Sequence, residues 1–197
     1  MKLKSALVLF ALSLGSIAWA APVTYYASLS GPGETPPNTS PGVGFADITL
    51  DTATHTLTVL AAFSGLTSGT QASHIHCCTA ASLTGTAAVA TPVPTFPGFP
   101  SGVTSGSYSA TFDTSLLASW NPAFVTANGG TALAAEAALV AGLAAGKSYF
   151  NIHTTNFPGG EISGFLVPTP EPASFGLAAL ALAGLLVGRK RVRRPRA

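Results

Sequence analysis

Charge is scarce in this chain, with Asp, Glu, Lys and Arg making up 8% of its 197 residues, and the scarcity is uneven. Of nine basic residues only Lys147 lies between Ala21 and Val167, facing six acids (Glu34, Asp47, Asp51, Asp113, Glu136, Glu161), so that segment carries a net charge of −5. Without a basic patch it cannot neutralise phosphates, which argues against any nucleic-acid partner. Cysteine is almost missing too, Cys77 and Cys78 being the only thiols. No Gly-x-Ser-x-Gly elbow, nucleotide-binding loop or His-Glu-x-x-His run is present, which removes the common signatures of hydrolases, nucleotide enzymes and zinc proteases. Six acids, several in loops, also leave little material for paired-carboxylate glycoside hydrolysis.

The basic residues sit at the two ends. Lys2 and Lys4 precede an apolar stretch from Ala6 to Ile17, and Ala18-Trp19-Ala20 supplies small residues at a cleavage site. That is the layout of a secretory signal peptide cut by signal peptidase after Ala20 or Ala21. At the other end Pro170-Glu171-Pro172 leads into an uncharged run, Ala173 to Gly188, closed by Arg189-Lys190-Arg191-Val192-Arg193-Arg194. As a helix the run would reach about 24 Å, short of the roughly 30 Å hydrocarbon core, so it suits a temporary hold in the inner membrane better than a permanent span. Its basic end stays cytoplasmic by the positive-inside rule. The arrangement resembles the PEP-CTERM sorting signal of Gram-negative bacteria. That resemblance implies processing by an exosortase near Pro170 to Pro172; an ordinary C-terminal anchor is the alternative. Three parts are therefore expected: a signal peptide (1–20), one domain (21–167) and a sorting signal (168–197) with an apolar helix (173–188) and a basic tail (189–197). The expected destination lies beyond the inner membrane, with the domain membrane-anchored before processing and at the cell surface or extracellular after it.

The middle segment has about 147 residues, enough for one domain with a real core. Short runs rich in β-formers, separated by Gly, Pro, Ser and Thr, predict strands at Val23–Leu29, Val43–Leu50, Thr56–Phe63, Gln71–Cys77, Ser105–Phe112, Ser148–Thr154 and Glu161–Val167. Seven strands predict an all-β antiparallel sandwich. In Val43–Leu50 the apolar alternation slips at Ala46-Asp47, which suggests a bulge. Gly31 to Pro37 and the four-proline segment Thr91 to Gly102 read as loops over the surface. One helix is expected from Thr131 to Gly146, with Leu133, Val140 and Leu143 on one stripe, Glu136 toward the positive end of its dipole and Gly146 as its stop.

Any chemistry concentrates on two strands that carry histidine. Period-two alternation puts His74 and His76 on one face of their strand with Ile75 on the other, and puts Tyr149, Asn151 and His153 opposite Phe150 and Ile152. Were the strands neighbours, His74, His76 and His153 would form a three-imidazole site suited to zinc or copper, with Asn151 in support; the alternative is imidazoles that bond only backbone groups. Glu161, after the Asn156-to-Gly160 turn, would either hydrogen-bond His153 or His74 or satisfy turn amides. Cys77 and Cys78 would form a vicinal disulfide, strained if their Cα atoms lie about 3.8 Å apart. Otherwise Cys78 would share the histidine face as a thiolate ligand, or the cysteines would bridge chains. His55, in a polar turn, reads as solvated.

Tyr26 to Gly31, Glu34 to Pro37, Ala72 to His76, Phe150 to Thr154 and Phe157 to Leu166 occur in an order that resembles the CHRD domain, named for chordin, over Val23 to Val167. The resemblance implies a Greek-key or immunoglobulin-like β sandwich distantly similar to copper-zinc superoxide dismutases, a likeness resting on His74-Ile75-His76 and the Gly-Gly turn. It implies no settled activity, and further dismutase ligands are missing. The expectation is a non-enzymatic, surface-directed module acting in the envelope or an exopolysaccharide (biofilm) matrix, with a polysaccharide or surface protein as partner. A metal-dependent redox or metal-scavenging protein is the rival.

Overall fold

The computed structural model describes residues 21–169. The expected signal peptide with Ala18 and Ala20, the Pro170-Glu171-Pro172 motif, the apolar run and the basic tail lie outside the described residues. Eight strands run β1 (Val23–Ser30), β2 (Val43–Asp51), β3 (Thr56–Ser64), β4 (Thr70–Cys77), β5 (Gly106–Asp113), β6 (Ser148–Thr154), β7 (Ile162–Phe165) and β8 (Val167–Pro168). Helices α1 (Pro122–Ala127) and α2 (Ala132–Ala144) fill the β5–β6 connection. All described strand pairs are antiparallel, in the order β4-β6-β7-β1-β2-β3-β5, with β8 added to β1. The fold is all-β with an inserted helical segment, built from one hydrogen-bonded sheet curled around its core.

Alternation explains the central strands. Tyr25, Ala27 and Leu29 of β1, Ala46, Ile48 and Leu50 of β2, and Leu57, Val59, Ala61 and Phe63 of β3 are buried, while their neighbours turn outward. The β2 register runs without interruption from Val43↔Ser30 to Leu50↔Val23, so the expected bulge at Ala46-Asp47 is absent. The apparent slip arises because Val43 and Phe45 belong to the outer face, where Phe45 stacks on Tyr26 with ring centroids 6.4 Å apart.

The proline-rich segment is a correction of a different kind. It does run over the surface, with Val93, Pro94, Pro97 and Gly98 exposed, but it is pinned along β4: the Phe96 amide bonds the Ser73 carbonyl, and just ahead of it the Cys77 and Ala90 amides bond the Ala88 and Ile75 carbonyls. It thereby satisfies an edge strand that would otherwise offer free donors and acceptors. Its Phe96, fully buried, packs on Phe150 of β6 and on Phe112 and Tyr108 of β5, closing the gap between opposite ends of the curled sheet. With a loop on one side and core on the other, β4 and β6 are buried on both faces.

The Thr131 side chain caps α2 by accepting from the Ala134 amide, and a Schellman pair (Gly146 N to Leu143 O, Lys147 N to Gly142 O) ends it with Gly146 at φ +64. The buried stripe is Ala135, Leu139 and Leu143, with Val140 partly covered, whereas Leu133 is 53% exposed. Glu136, expected only to favour the dipole, is buried and accepts from Thr114 Oγ1 and His55 Nδ1. His55 is thus not merely solvated: its ring ties the β2–β3 turn to α2. Helix α1 escaped the sequence reading, although Asn121 as N-cap followed by Pro122 at the first helical position is its signature.

Candidate metal centre

Strands β4 and β6 are hydrogen-bonded neighbours in a register that pairs Ala72 with His153, His74 with Asn151 and His76 with Tyr149. Because facing residues share a side of the sheet, His74, His76, Tyr149, Asn151 and His153 gather on one face, while Ile75, Phe150 and Ile152 enter the core. The three imidazoles approach with ring centroids 5.3 to 6.0 Å apart. One nitrogen from each lies within 4.8 Å of the other two.

The second nitrogen of each ring is anchored. His74 Nε2–H donates to the Pro94 carbonyl at 2.7 Å, His76 Nδ1–H to Ala87 at 2.9 Å and His153 Nδ1–H to Pro158 at 2.9 Å. A carbonyl only accepts, so each bond fixes where the ring proton sits and leaves an unprotonated nitrogen: His74 Nδ1, His76 Nε2 and His153 Nε2. His74 Nδ1 and His153 Nε2 are 3.3 Å apart, and His76 Nε2 is buried with no partner among the described residues. Burial pushes the pKa of His74 and of His76 down to about 4, opposed by the carbonyl bonds, and burial lowers His153 as well. At neutral pH the cluster therefore offers three lone pairs and no charge, with ring orientations held from outside as metal-ligating histidines require. Two of the anchoring carbonyls belong to the loop along β4 and the third to the turn after β6, so the loops that close the edge also set the tautomers.

The other sequence candidates are placed less simply. Glu161 touches none of the histidines. It is fully buried and accepts from Ser40 Oγ (2.6 Å), the Thr67 amide (2.6 Å) and Thr154 Oγ1 (2.5 Å). Burial opposes its ionisation, but these donors outweigh burial and hold its pKa below the ordinary value. The reason is position: Glu161 precedes β7 and is aimed at the Ser40 and Thr67 loops. Cys78 does not serve the imidazoles either. Its sulfur is bonded to that of Cys77, across a cis peptide with Cα atoms 3.0 Å apart, in place of the trans spacing, and both sulfurs face the Ala138 carbonyl of α2. Gly142 makes that approach feasible, since a Cβ there would collide with both sulfurs.

One residue beside the centre was not anticipated. Glu34, in the Gly31-to-Pro37 loop, is 8% exposed and accepts from Asn151 Nδ2 at 3.2 and 3.3 Å. Burial raises its pKa to about 7, partly offset by bonds from Ser163 and the Thr35 amide. Only the acid within a Gly/Pro loop was visible in the sequence; nothing there indicated which strand the loop covers.

Fold and site together define an antiparallel β protein with a buried, neutral histidine cluster on one strand pair and a sorting signal beyond its last strand. The family model of the CHRD domain matches residues 25–166, and the chain belongs to that family. The PEP-CTERM protein-sorting motif matches residues 168–194, which makes this an exosortase-sorted protein exported to the cell surface or beyond. Neither the curated proteins nor the solved structures contain a match to the chain.

Proposed function

We propose that the CHRD domain of this chain is a transition-metal-binding module carried to the cell surface, holding one zinc or copper ion through His74 Nδ1, His76 Nε2 and His153 Nε2. The observation that carries this reading is that three imidazoles, each with its proton tied to a backbone carbonyl, bring one nitrogen apiece within 4.8 Å of one another, the free His74 Nδ1 and His153 Nε2 only 3.3 Å apart. Two lone pairs 3.3 Å apart repel unless a cation lies between them, and burial makes a proton a poor one. An all-imidazole donor set suits zinc or copper, whereas calcium and magnesium prefer oxygen. The module acts in the envelope or the extracellular matrix and works by binding the metal, not by turning over a substrate. Titration of the metal-free protein with Zn(II) and Cu(II) is expected to saturate at one ion per chain and to fail in the His74→Ala/His76→Ala double variant. Equal uptake by that variant would sink the reading.

A second role is favoured by the outer face of β1–β3. Tyr26, Val43 and Leu60 are 39, 55 and 43% exposed beside the stacked Phe45, among hydroxyl side chains and two acids, Asp47 and, at the strand end, Asp51. Such a nearly uncharged face with an aromatic pair suits a neutral matrix polysaccharide or a surface protein. Co-sedimentation with matrix polysaccharide should persist in high salt and fall in Tyr26→Ala; no association at any salt concentration would reject it.

A further inference from the structure

Beyond the three imidazoles, the same face carries a second set of buried polar groups that the fold leaves unfinished. Asn151 stands opposite His74 in the ladder and is 2% exposed, yet its Oδ1 has no hydrogen-bond partner among the described residues. Its Nδ2 is taken by both oxygens of Glu34. Among the described residues, Glu34 forms no ion pair with Lys, Arg or His. A Cβ at Gly160 would collide with the Asn151 amide and the Glu34 carboxylate, so the glycine, at φ +133, leaves the space in which the two meet. Pro158, in the same turn, supplies the carbonyl that anchors His153. Beside the pair lies a cleft of about 30 Å³ lined by Glu34, Tyr149, Asn151 and Ser163, room for a water but for little more.

Three nitrogens leave a tetrahedral metal one position short, and an open position is what separates a working site from a closed structural one. We propose that this fourth position holds an exchangeable water or hydroxide, that Asn151 Oδ1 accepts its hydrogen bond, and that Glu34 is the positioning residue that fixes the Asn151 amide. The inference rests on the metal reading above. In its ionised form, which a nearby dication favours, Glu34 only accepts, so it turns the amide nitrogen toward the loop and keeps the oxygen for the water. The buried carboxylate in turn gains the nearby dication that no Lys or Arg provides.

The test is the relaxation of bulk-water protons by the full chain, purified in detergent and loaded with one equivalent of Cu(II). Native protein should show the enhancement of a copper ion that exchanges an inner-sphere water. Asn151→Leu removes the acceptor, and Glu34→Gln allows the amide to flip. Each should cut that contribution at least about twofold while copper still binds at one equivalent, because the bridging water loses its partner. Glu34→Gln preserves shape, so it carries the test should Asn151→Leu fail to fold. Copper-loaded native protein that relaxes water no more than a sealed ion, or variants identical to native, would overturn the proposal while leaving the metal reading intact. A native chain that takes up no copper would overturn both.

Discussion

Glu161, just before β7, and the histidine face of the neighbouring β4–β6 pair are both largely buried, but they are treated in opposite ways. Around Glu161 three donors from three separate segments converge on one carboxylate, and both of its oxygens are occupied. On the histidine face His76 Nε2 and Asn151 Oδ1 are buried with no partner, and His74 meets His153 nitrogen to nitrogen. A third unmet atom, Ser148 Oγ, lies on the opposite side of β6, but buried polar atoms are nearly always satisfied, so two of them beside an imidazole pair need a reason. The difference teaches that the first region holds the fold together, whereas the second is kept ready for something the chain itself does not supply.

Removing Glu161 should give the largest effect on folding. Glu161→Ala leaves the buried hydroxyls of Ser40 and Thr154 unpaired, at about 1–3 kcal/mol each before relaxation, and frees the Thr67 amide, so a net loss of roughly 2–5 kcal/mol is expected in chemical denaturation. A loss under about 1 kcal/mol would blur the contrast between the two regions. On the other side, His153→Ala should weaken metal affinity about 100-fold, equivalent to about 2.7 kcal/mol, while barely altering the stability of metal-free protein. Chelator competition measures the first quantity and thermal melting the second. Gly142→Ala, which drives a methyl group into the Cys77–Cys78 bridge, should cost about 1–3 kcal/mol by overpacking.

Between neutral pH and about 4 acid should act on the histidine face, while the depressed Glu161 adds its own loss at lower pH, and the sign follows from the shifts. With His74 and His76 near 4 when folded and 6.5 when unfolded, the unfolded chain binds more protons between those values. Metal-free protein therefore loses stability as pH falls from about 6.5 toward 4. Glu34 works against this, since its folded value near 7 lies above 4.5 and makes the folded chain the better proton binder between the two. Glu34→Gln removes the opposing group and should steepen the acid loss, read from melting temperature against pH. The smallest effect is expected at Leu133, exposed on α2, where Leu133→Ala should stay within about 0.5 kcal/mol.

Much of this was legible in the chain. Period-two alternation located the main strands and placed His74, His76 and His153 away from the core, because a strand admits only two directions for its side chains. What alternation cannot supply is strand order, so the pairing of β4 with β6 that joins the histidines is visible only in the fold. Phe45 and Val43 misled for a physical reason: an apolar residue on an outer face looks identical to one on an inner face until its partner, Tyr26, is known. Glu161 and Glu34 exchanged their expected standing for a similar reason, since each is defined by loops that fold back from more than 90 residues away. The proline-rich segment was legible as a surface loop but not as a strap, because composition does not show that it lies on the β4 edge.

The central claim is that the unfinished polar face is a metal centre, and the most direct measurement is elemental analysis of the exported protein after exposure to Zn(II) and Cu(II) and removal of free ions. The account predicts one tightly held ion per chain, absent when His74 and His76 are both replaced by alanine and retained in Glu161 variants that still fold. A native protein without stoichiometric metal under these conditions would contradict it.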